Sequence, residues 1–353
     1  MFSFIFRKGP VTAKDIMKEH GVDASTVSRN VRHLIEEGFI NVVGETKSGP
    51  FGGRKAKIFD VNPKKFHILG IGIEKGEIAA SLINPKGKVI DEFHEVKEIK
   101  KDGIKDEVLR ILDGFRSRFQ DIVGVTVALP GIVDDESGVL IYNDVFGMRK
   151  MNLREEIEKK GRVKVMLMND ANAAAADFST EWKHLIYILV SIPFNLKDAV
   201  GVGMGIWINE KLYTGANMAA GEFKRNSFPP IFKNGELETI EDINKIGGLK
   251  YGKVKRFYDH FIKKIEEVLY ILDPGSVVIG GDTDLFSESL RERMKKDLEK
   301  IVKEKPMSKM EIVIDTRGLK TVAAGGAKAF LKRIVDDYKF AIEVLGEGEE
   351  IDR

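Results

Sequence analysis

Apolar and polar positions in the first sixty residues repeat first at helical spacing and then at strand spacing. The pattern predicts two helices, residues 13–20 and 24–37, separated by a short turn. Thr12 and Asp15 have the spacing of an approximate capping box for the first helix, and Asp23 is placed to cap the second. The apolar positions that we expect to face a core are Ala13, Ile16, Met17, Val27, Val31, Leu34 and Ile35.

Two strand patterns, residues 39–43 and 56–61, follow the second helix and enclose a basic loop rich in glycine. Helix, turn, helix and hairpin in this order are typical of a winged helix-turn-helix domain, whose second helix fits the major groove of DNA. Arginine donors reach guanine edges there, and Arg54 of the loop fits a narrow minor groove. The alternative is a solvated helix followed by an unstructured loop. The predicted DNA-binding residues are Ser25, Thr26, Ser28, Arg29, Arg32, His33, Lys47, Arg54 and Lys55.

Charge is unevenly distributed along the chain of 353 residues, whose formal net charge is only +2. Residues 1–66 hold 12 basic and 7 acidic side chains, a balance of +5, and the remainder has a balance of −3. A basic segment joined to a faintly acidic body indicates that only the first part of the chain meets a polyanion.

The composition excludes several classes of site. The chain has no cysteine, which excludes disulfides, a thiol nucleophile and zinc sites built on thiolates. Its longest apolar run, residues 185–194, is about half of the ~20 residues that a membrane-spanning helix needs. The apolar residues 1–6 are too few for the core of a signal peptide. We therefore expect a cytoplasmic protein without a membrane partner.

Strand and helix patterns alternate beyond Asn62 and Pro63, which predicts a mixed α/β body after a linker. Strands are predicted at residues 68–73, 78–84, 122–128, 163–168 and 276–279, and helices at 104–119 and 254–272. The second of these helices carries an apolar stripe that we expect in the core of the body, namely Phe257, Phe261, Ile265, Val268 and Leu272.

Several short motifs follow one another in this body, and their order is more specific than any one of them. The most specific is Asn169-Asp170-Ala171-Asn172, directly after a predicted strand. The others are Pro130-Gly131-Ile132-Val133-Asp134, Gly201-Val202-Gly203-Met204-Gly205 and Gly280-Gly281. In these motifs and in its first sixty residues, the chain resembles the ROK family of transcriptional repressors and sugar kinases.

The resemblance implies an α/β fold of the actin-like (ribonuclease H-like) sugar-kinase type, with two lobes around a cleft and a winged helix-turn-helix before them. The implied domains are a head at 1–62, a first lobe at 63–182 with a returning helix near 321–340, a second lobe at 183–320 and an acidic tail at 341–353. It also implies a homodimer or a dimer of dimers, as paired half-sites on DNA require.

The chain departs from the kinase pattern of the family at its phosphate loop. Gly72 stands where the kinases have aspartate, Glu74 and Lys75 where they have glycines, and Gly76 where they have threonine. A carboxylate at that place repels phosphate, whereas glycine amides bind it. Residues 193–198 look inserted, and the cysteine cluster that holds zinc in many members is absent. The resemblance therefore implies no zinc and no other cofactor, with ATP and Mg²⁺ required only by a kinase.

The resemblance also implies which residues form the site, although each of them has a simpler structural explanation as well. The implied sugar contacts are Asn143, Asn169, Asp170, Glu222 and Arg225, the last at the place of a family histidine. In a kinase, Asp170 is the catalytic base, and the nucleotide-binding glycines are Gly201, Gly203, Gly280 and Gly281. Alternatively, Asp170 caps a helix, Asn143 is a loop residue and Glu222 is surface charge. Arg225 either favours an anionic sugar or pairs with Glu222.

The sequence is compatible with three functions. The leading hypothesis is a sugar-responsive transcriptional regulator, most simply a repressor of carbohydrate-utilisation genes, that binds operator DNA and a sugar effector. The second is an ATP-dependent sugar kinase of the glucose, mannose or N-acetylglucosamine type. The third is a DNA-binding protein whose body has lost sugar binding and serves only to dimerise.

Overall fold

The computed structural model describes residues 1–47, 55–192, 200–224, 227–229, 252–304 and 309–346. Its N-terminal part, called the head below, consists of three helices and a three-stranded antiparallel sheet of order β1-β3-β2. The elements of the head are α1 (Phe2–Lys8), β1 (Val11–Thr12), α2 (Ala13–His20), α3 (Ala24–Glu36), β2 (Ile40–Glu45) and β3 (Lys57–Val61).

The two predicted helices of the head are present, with the predicted caps. The Thr12 hydroxyl accepts from the Asp15 amide at 3.3 Å, and the Thr12 amide donates to the Asp15 carboxylate at 2.8 Å, which completes the capping box. The core of the head contains most of the predicted apolar positions. Ile35 is the exception, because it lies at the edge of the apolar stripe near the end of α3 and is 38% exposed.

Helix α1 was not predicted, because seven residues are too few for a clear periodic pattern. Its Ile5 is fully buried in the core of the head, and its Phe2 ring meets the Phe39 ring edge-on at 5.6 Å between centroids. The first residues of the chain therefore complete the hydrophobic core of the head.

The first lobe is built on a five-stranded mixed sheet of order β11-β7-β4-β5-β6, in which β4, β7 and β11 are parallel neighbours. Strands β8, β9 and β10 form a separate small sheet. The elements are β4 (His67–Ile73), β5 (Glu77–Ile83), β6 (Val89–Val96), α4 (Ile104–Arg116), β7 (Ile122–Leu129), β8 (Ile132–Asp134), β9 (Val139–Asn143), β10 (Met148–Met151), α5 (Leu153–Gly161), β11 (Lys164–Asn169) and α6 (Asp170–Asp177).

The second lobe is built on another five-stranded sheet, of order β14-β13-β12-β15-β16, in which β12, β15 and β16 run parallel. The elements from here to residue 345 are β12 (Leu185–Ser191), β13 (Gly201–Ile208), β14 (Lys211–Leu212), α7 (Gly252–Leu272), β15 (Ser276–Gly281), α8 (Glu288–Lys303), β16 (Glu311–Ile314), α9 (Leu319–Asp336) and α10 (Tyr338–Leu345). The predicted apolar stripe of α7 packs into the core of this lobe.

Helices α6 and α9 lie in a core that receives side chains from both large sheets. They approach each other at backbone contact: a Cβ atom at Gly325 would lie 1.9 Å from the Ala173 carbonyl oxygen. Likewise, a Cβ atom at Gly70 would lie 1.8 Å from the Ala323 carbonyl oxygen of α9. Glycine at 70 and 325 is thus required by the close packing of strand β4, α6 and α9.

The end of the chain differs in detail from the expected arrangement. The returning helix begins at Leu319 and ends at Asp336, and a further helix occupies Tyr338–Leu345. Residues 341–345 are therefore helical instead of forming part of a tail, because Phe340, Ala341, Val344 and Leu345 pack against the core of the body. Residues 347–353 lie outside the described part. Among the described helices, none has the length and apolar character needed to cross a membrane.

Candidate functional site

Four carboxyl side chains converge where the two lobes meet, in a region called the cleft below. Glu74 follows β4 and Asp170 begins α6 in the first lobe, whereas Glu222 follows β14 and Asp282 follows β15 in the second. Glu74 interacts electrostatically with Asp170 and Asp282, and Asp170 with Glu222. Strands β11 and β15 both end at the cleft with their carboxyl ends, where open α/β sheets place ligand groups.

Asp170 is buried at the start of α6, with 7% of its surface exposed. Its Oδ1 accepts a hydrogen bond from the Ala171 amide at 2.7 Å. Burial, reinforced by the carboxyl of Glu222, raises the pKa of Asp170 to about 7. Both protonation states are therefore populated near neutral pH, so this carboxyl group can accept a hydrogen bond from a hydroxyl group or take up its proton.

Asn169 performs the capping role that was an alternative for Asp170. Its Oδ1 accepts from the Asn172 amide at 3.0 Å, and its Nδ2 donates to the Gly131 carbonyl at 2.9 Å. Nδ2 also lies 3.3 Å from Oε1 of Glu222, across the cleft. The motif thus fixes the start of α6 and connects the first lobe to the second.

Glu222 is placed by a local backbone pairing with Gly203 of β13. The preceding Gly221 has φ +88°, and a Cβ atom there would lie 1.8 Å from the Met204 carbonyl oxygen. Only glycine allows the backbone at position 221 to come this close to the Met204 carbonyl group. Solvent reaches the Glu222 side chain, and the protein around it nevertheless raises its pKa through burial.

Glu74 bridges the lobes from the turn between β4 and β5. Its Oε1 accepts a hydrogen bond from the Ser191 hydroxyl, at the end of β12, at 3.3 Å. Burial first, and then the carboxyls of Asp170 and Asp282, raise the pKa of Glu74 well above its usual range. Burial also raises the pKa of Asp282 to about 7, although Oδ2 of Asp282 accepts from the Ile192 amide at 2.5 Å. The cleft is thus rich in carboxyl groups whose pKa values are raised by burial.

Helix α3 of the head presents its predicted polar face to solvent. Arg29, Arg32 and His33 are exposed, as are Lys47 and Lys55 beside the wing. Arg54 lies outside the described residues.

The hydroxyl groups at the start of α3 are not directed to solvent alone. The Ser25 hydroxyl donates to Asp23 at 2.6 Å and the Thr26 hydroxyl at 3.2 Å. The Ser25 hydroxyl, followed by the Thr26 amide, lowers the pKa of Asp23 to about 2. A negative charge therefore stands at the N-terminus of the helix that was predicted to meet DNA.

Residues 68–228 match the model of the ROK family. The chain carries a ROK family domain. Over 226 residues it is 26% identical to the xylose repressor of Bacillus spizizenii, covering 62% of this chain and 56% of that protein. The xylose repressor of Caldicellulosiruptor bescii is 31% identical over 225 residues, 60% and 53% of the two chains. The DNA-binding transcriptional dual regulator NagC of Escherichia coli is 24% identical over 254 residues, 68% and 61%. The chain thus spans less than two thirds of the length of these curated relatives.

Solved structures share the fold at low sequence identity. A ROK family transcriptional regulator, described as a homolog of the E. coli MLC protein, has a TM-score of 0.69 at 17% identity and covers 94% of this chain and 95% of its own. A ROK family glucokinase from Streptomyces griseus, in complex with glucose and AMPPNP, has a TM-score of 0.57 at 19% identity and covers 74% and 98%. These likenesses confirm the predicted actin-like, two-lobe fold.

Within the ROK domain, the structure favours the plainer alternative for Asn143. This side chain is 1% exposed, donates to the Pro130 carbonyl at 2.6 Å and accepts from the Phe146 amide at 2.9 Å. It therefore stabilises the turn between β9 and β10, and its contact with sugar stays a prediction. Arg225 lies outside the described residues.

The glycines assigned to a nucleotide have structural reasons of their own. Gly201 and Gly203 lie in strand β13, paired with Ser191 and Leu189, instead of forming a loop. A Cβ atom at Gly280 would lie 1.9 Å from the Tyr187 hydroxyl oxygen, and Gly281 has φ +76°. Close packing and backbone conformation account for Gly280 and Gly281 without a ligand.

A buried polar network beside the cleft was not predicted. Asp315, which follows β16, accepts hydrogen bonds from the Tyr187 hydroxyl at 2.9 Å and from the Thr321 hydroxyl at 2.5 Å. Arg317 donates to Asp315 at 3.1 Å and to Asp177 at 2.5 Å. The network joins β12 and β16 of the second lobe to α6 and α9. The position of Asp315 directly after an apolar strand, like that of Asp170, was the available signal.

In the part of the chain that the structure describes, no three Asp, Glu, His or Cys side chains are grouped to hold a metal ion.

Proposed function

We propose that this protein is a sugar-responsive transcriptional regulator, most simply a repressor, that binds operator DNA through its head and a sugar in its cleft. The observation that carries the proposal is the presence, in one chain, of an exposed basic helix in the head and of a ROK domain. Relatives named xylose repressor and N-acetylglucosamine repressor support this class of function and leave the sugar of this chain open.

The head supplies the chemistry that DNA binding requires. Arg29 and Arg32 lie one turn apart on the exposed face of α3, within reach of neighbouring bases in a major groove. Lys47 and Lys55 are exposed and stand, in the sequence, on either side of the predicted basic loop, and they can neutralise phosphates. A two-fold dimer would present two such helices to successive half-sites.

The cleft supplies acceptors for sugar hydroxyl groups. Asp170 and Glu222 approach the same space from opposite lobes, and the Asn169 amide reaches between them. A sugar that bridged these groups would hold the lobes at a fixed angle. Regulation then follows if sugar binds one arrangement of lobes and heads more tightly than the other.

A sugar kinase is the second candidate, and Asp170 is the observation that favours it. Its pKa of about 7 suits a base that deprotonates a hydroxyl group. Against a kinase stands Glu74, which occupies the turn after β4, where the resemblance places the phosphate loop. Its carboxyl group is held beside Asp170 and Asp282, and such a cluster disfavours the phosphates of ATP.

The deciding experiment combines DNA retention with ligand titration. DNA selected from a random pool should be retained at low salt, with affinity falling steeply as salt rises. The double variant Arg29→Ala/Arg32→Ala should lose retention, whereas the equally charged change Lys263→Ala/Lys264→Ala on α7 should keep it. Failure to retain any DNA would reject the regulator.

A panel of neutral, amino and phosphorylated sugars, with and without MgATP, would then test the cleft by thermal shift, because a ligand of the native state raises the unfolding midpoint. At least one sugar should raise it without ATP. Sugar-dependent ADP release that Asp170→Asn abolishes would establish the kinase instead. No response to any sugar would leave the body as a dimerisation domain.

A further inference from the structure

Helix α9 begins at the cleft, in contact with both lobes. Thr321 in its first turn donates to Asp315, the centre of the polar network that also holds Tyr187 of the second lobe. The Leu319 side chain packs on Gly72, where an added Cβ atom would lie 3.0 Å from Leu319 Cδ1. Gly72 stands two residues before Glu74. A change of angle between the lobes therefore acts directly on the first turn of α9.

The middle of α9 is held against α6, the helix that begins with Asp170. Gly325 meets the backbone of Ala173, and the Gly326 carbonyl accepts from the Thr126 hydroxyl of β7 at 2.8 Å. Lys328 lies 2.9 Å from the Asp177 carboxylate at the far end of α6. Backbone contacts in a close-packed interior leave little room for independent movement. A displacement of α6 is thus passed to α9.

The last turn of α9 contacts helix α1 of the head. The Ser3 hydroxyl of α1 donates to the Val335 carbonyl at 2.7 Å, and Arg7 pairs with Asp336 at 2.5 Å. Phe6 of α1 packs against both the core of the head and the core of the body. Helix α1 therefore rests on the end of α9, about 27 Å from the beginning of α9 for a helix of this length. Phe39 of the head also packs against both cores.

We propose that the contact of α1 with the last turn of α9 transmits the state of the cleft to the DNA-binding head. Helix α9 moves as a rigid connection, and the contact stays closed in both states. This rests on the proposed function. A second contact joins Lys86 of the first lobe to Asp60 of β3 at 2.5 Å. This contact involves no residue of the second lobe, so it holds the head in place without responding to the angle between the lobes.

The test compares how strongly sugar changes DNA affinity in full-length variants. The sugar is the one with the largest thermal shift in the panel, and the DNA is a fragment selected with wild-type protein. Arg7→Asp and Asp336→Arg each place like charges in contact, whereas the double variant restores an opposite pair. Arg118→Asp makes the same charge change at the exposed pair with Asp91, away from the head, and serves as the control.

We expect each single variant to reduce the sugar-dependent change in DNA affinity at least threefold, while sugar binding and sugar-free DNA binding stay within about twofold of wild type. The double variant should restore the change, and Arg118→Asp should leave it intact. Wild-type response in both single variants would overturn the proposal and leave the regulator standing. Wild-type protein that binds both ligands without any coupling would overturn the regulator itself.

A cross-link tests whether the contact stays closed. The chain has no cysteine, so Arg7→Cys/Asp336→Cys provides the only two thiols for a short bismaleimide. The cross-linked protein should keep its full response to sugar, because the proposed connection never opens. Loss of the response on cross-linking, with both ligands still bound, would show that the head must detach and would reject the rigid connection.

Discussion

The head and the cleft both hold candidate binding residues, but they hold them in opposite ways. The head places Arg29, Arg32 and His33 on the exposed face of one helix, α3, and carries the exposed Lys47 and Lys55 outside that helix. The cleft assembles Glu74, Asp170, Glu222 and Asp282 from distant segments, and burial raises the pKa of each of them. The exposed arginines carry a fixed charge and add little to folding. The charges of buried carboxyl groups depend on pH, and the positions of these groups depend on the packing around them. The predictions below use this difference, from the largest expected effect to the smallest.

The packing between β4 and α9 should tolerate no added methyl group. Gly70→Ala would drive a Cβ atom into the Ala323 carbonyl, so we expect a loss of about 3 kcal/mol or more in the free energy of unfolding. Chemical denaturation measures it. Gly114→Ala, at an exposed position of α4 where a Cβ atom meets nothing within 4 Å, is the control and should be neutral or stabilising. Equal stability of the two variants would contradict the backbone contact described above.

Removal of the two arginines of α3 should affect DNA binding and no other property of the protein. Arg29→Ala/Arg32→Ala should weaken DNA binding about 100-fold or more at 0.1 M salt, since a base-reading arginine contributes about 1–3 kcal/mol. Fluorescence anisotropy measures the affinity. The unfolding midpoint and the thermal shift with sugar should not change, because both side chains are exposed. A large drop in stability would mean that these two arginines stabilise the fold more than they bind DNA.

The stability difference between Asp170→Asn and wild type should depend on pH. The folded pKa of about 7 exceeds the ordinary value of 3.8, so the native state holds this proton more tightly between those values. The free energy of unfolding of wild type therefore falls as pH rises from about 4 to about 7, and Asp170→Asn lacks this loss. From pH 5 to pH 8 the variant should gain about 2–3 kcal/mol relative to wild type.

Denaturant titrations at several pH values would measure this gain. A difference that stays constant with pH would show that Asp170 remains ionised in the folded protein. At pH 8, where Asp170 is ionised, sugar binding by the variant should be weakened, because the amide is a poorer acceptor than the carboxylate.

The smallest effect is expected at Asp23. Asp23→Asn keeps a capping oxygen for α3 but removes the negative charge from the helix N-terminus. DNA phosphates would then meet less repulsion, and affinity should rise about two- to fivefold at low salt. Asp15→Asn, at the cap of α2, is the matched control in the same titration. Weaker binding by Asp23→Asn would instead indicate that the carboxylate positions Ser25 and Thr26 for DNA.

Local patterns predicted some parts of the site and missed others. Helical periodicity with recognisable caps located α2 and α3, and an apolar strand before a polar motif located Asp170. Glu74 was noticed only as a departure from a family pattern. Its proximity to Asp282 was not predicted, because no sequence spacing relates residues that meet across two lobes. The Asp315 network was missed for the same reason.

The sequence by itself determined the local elements, the basic head, the absence of thiol chemistry and the ROK motifs, because each is recorded in neighbouring residues. Tertiary structure alone decided which carboxyls share the cleft, how far their pKa values rise, and that α1 rests on the end of α9. These properties depend on distance and burial between residues as far apart in the chain as Ser3 and Val335. Such proximity is set by packing of the whole fold and by no local pattern.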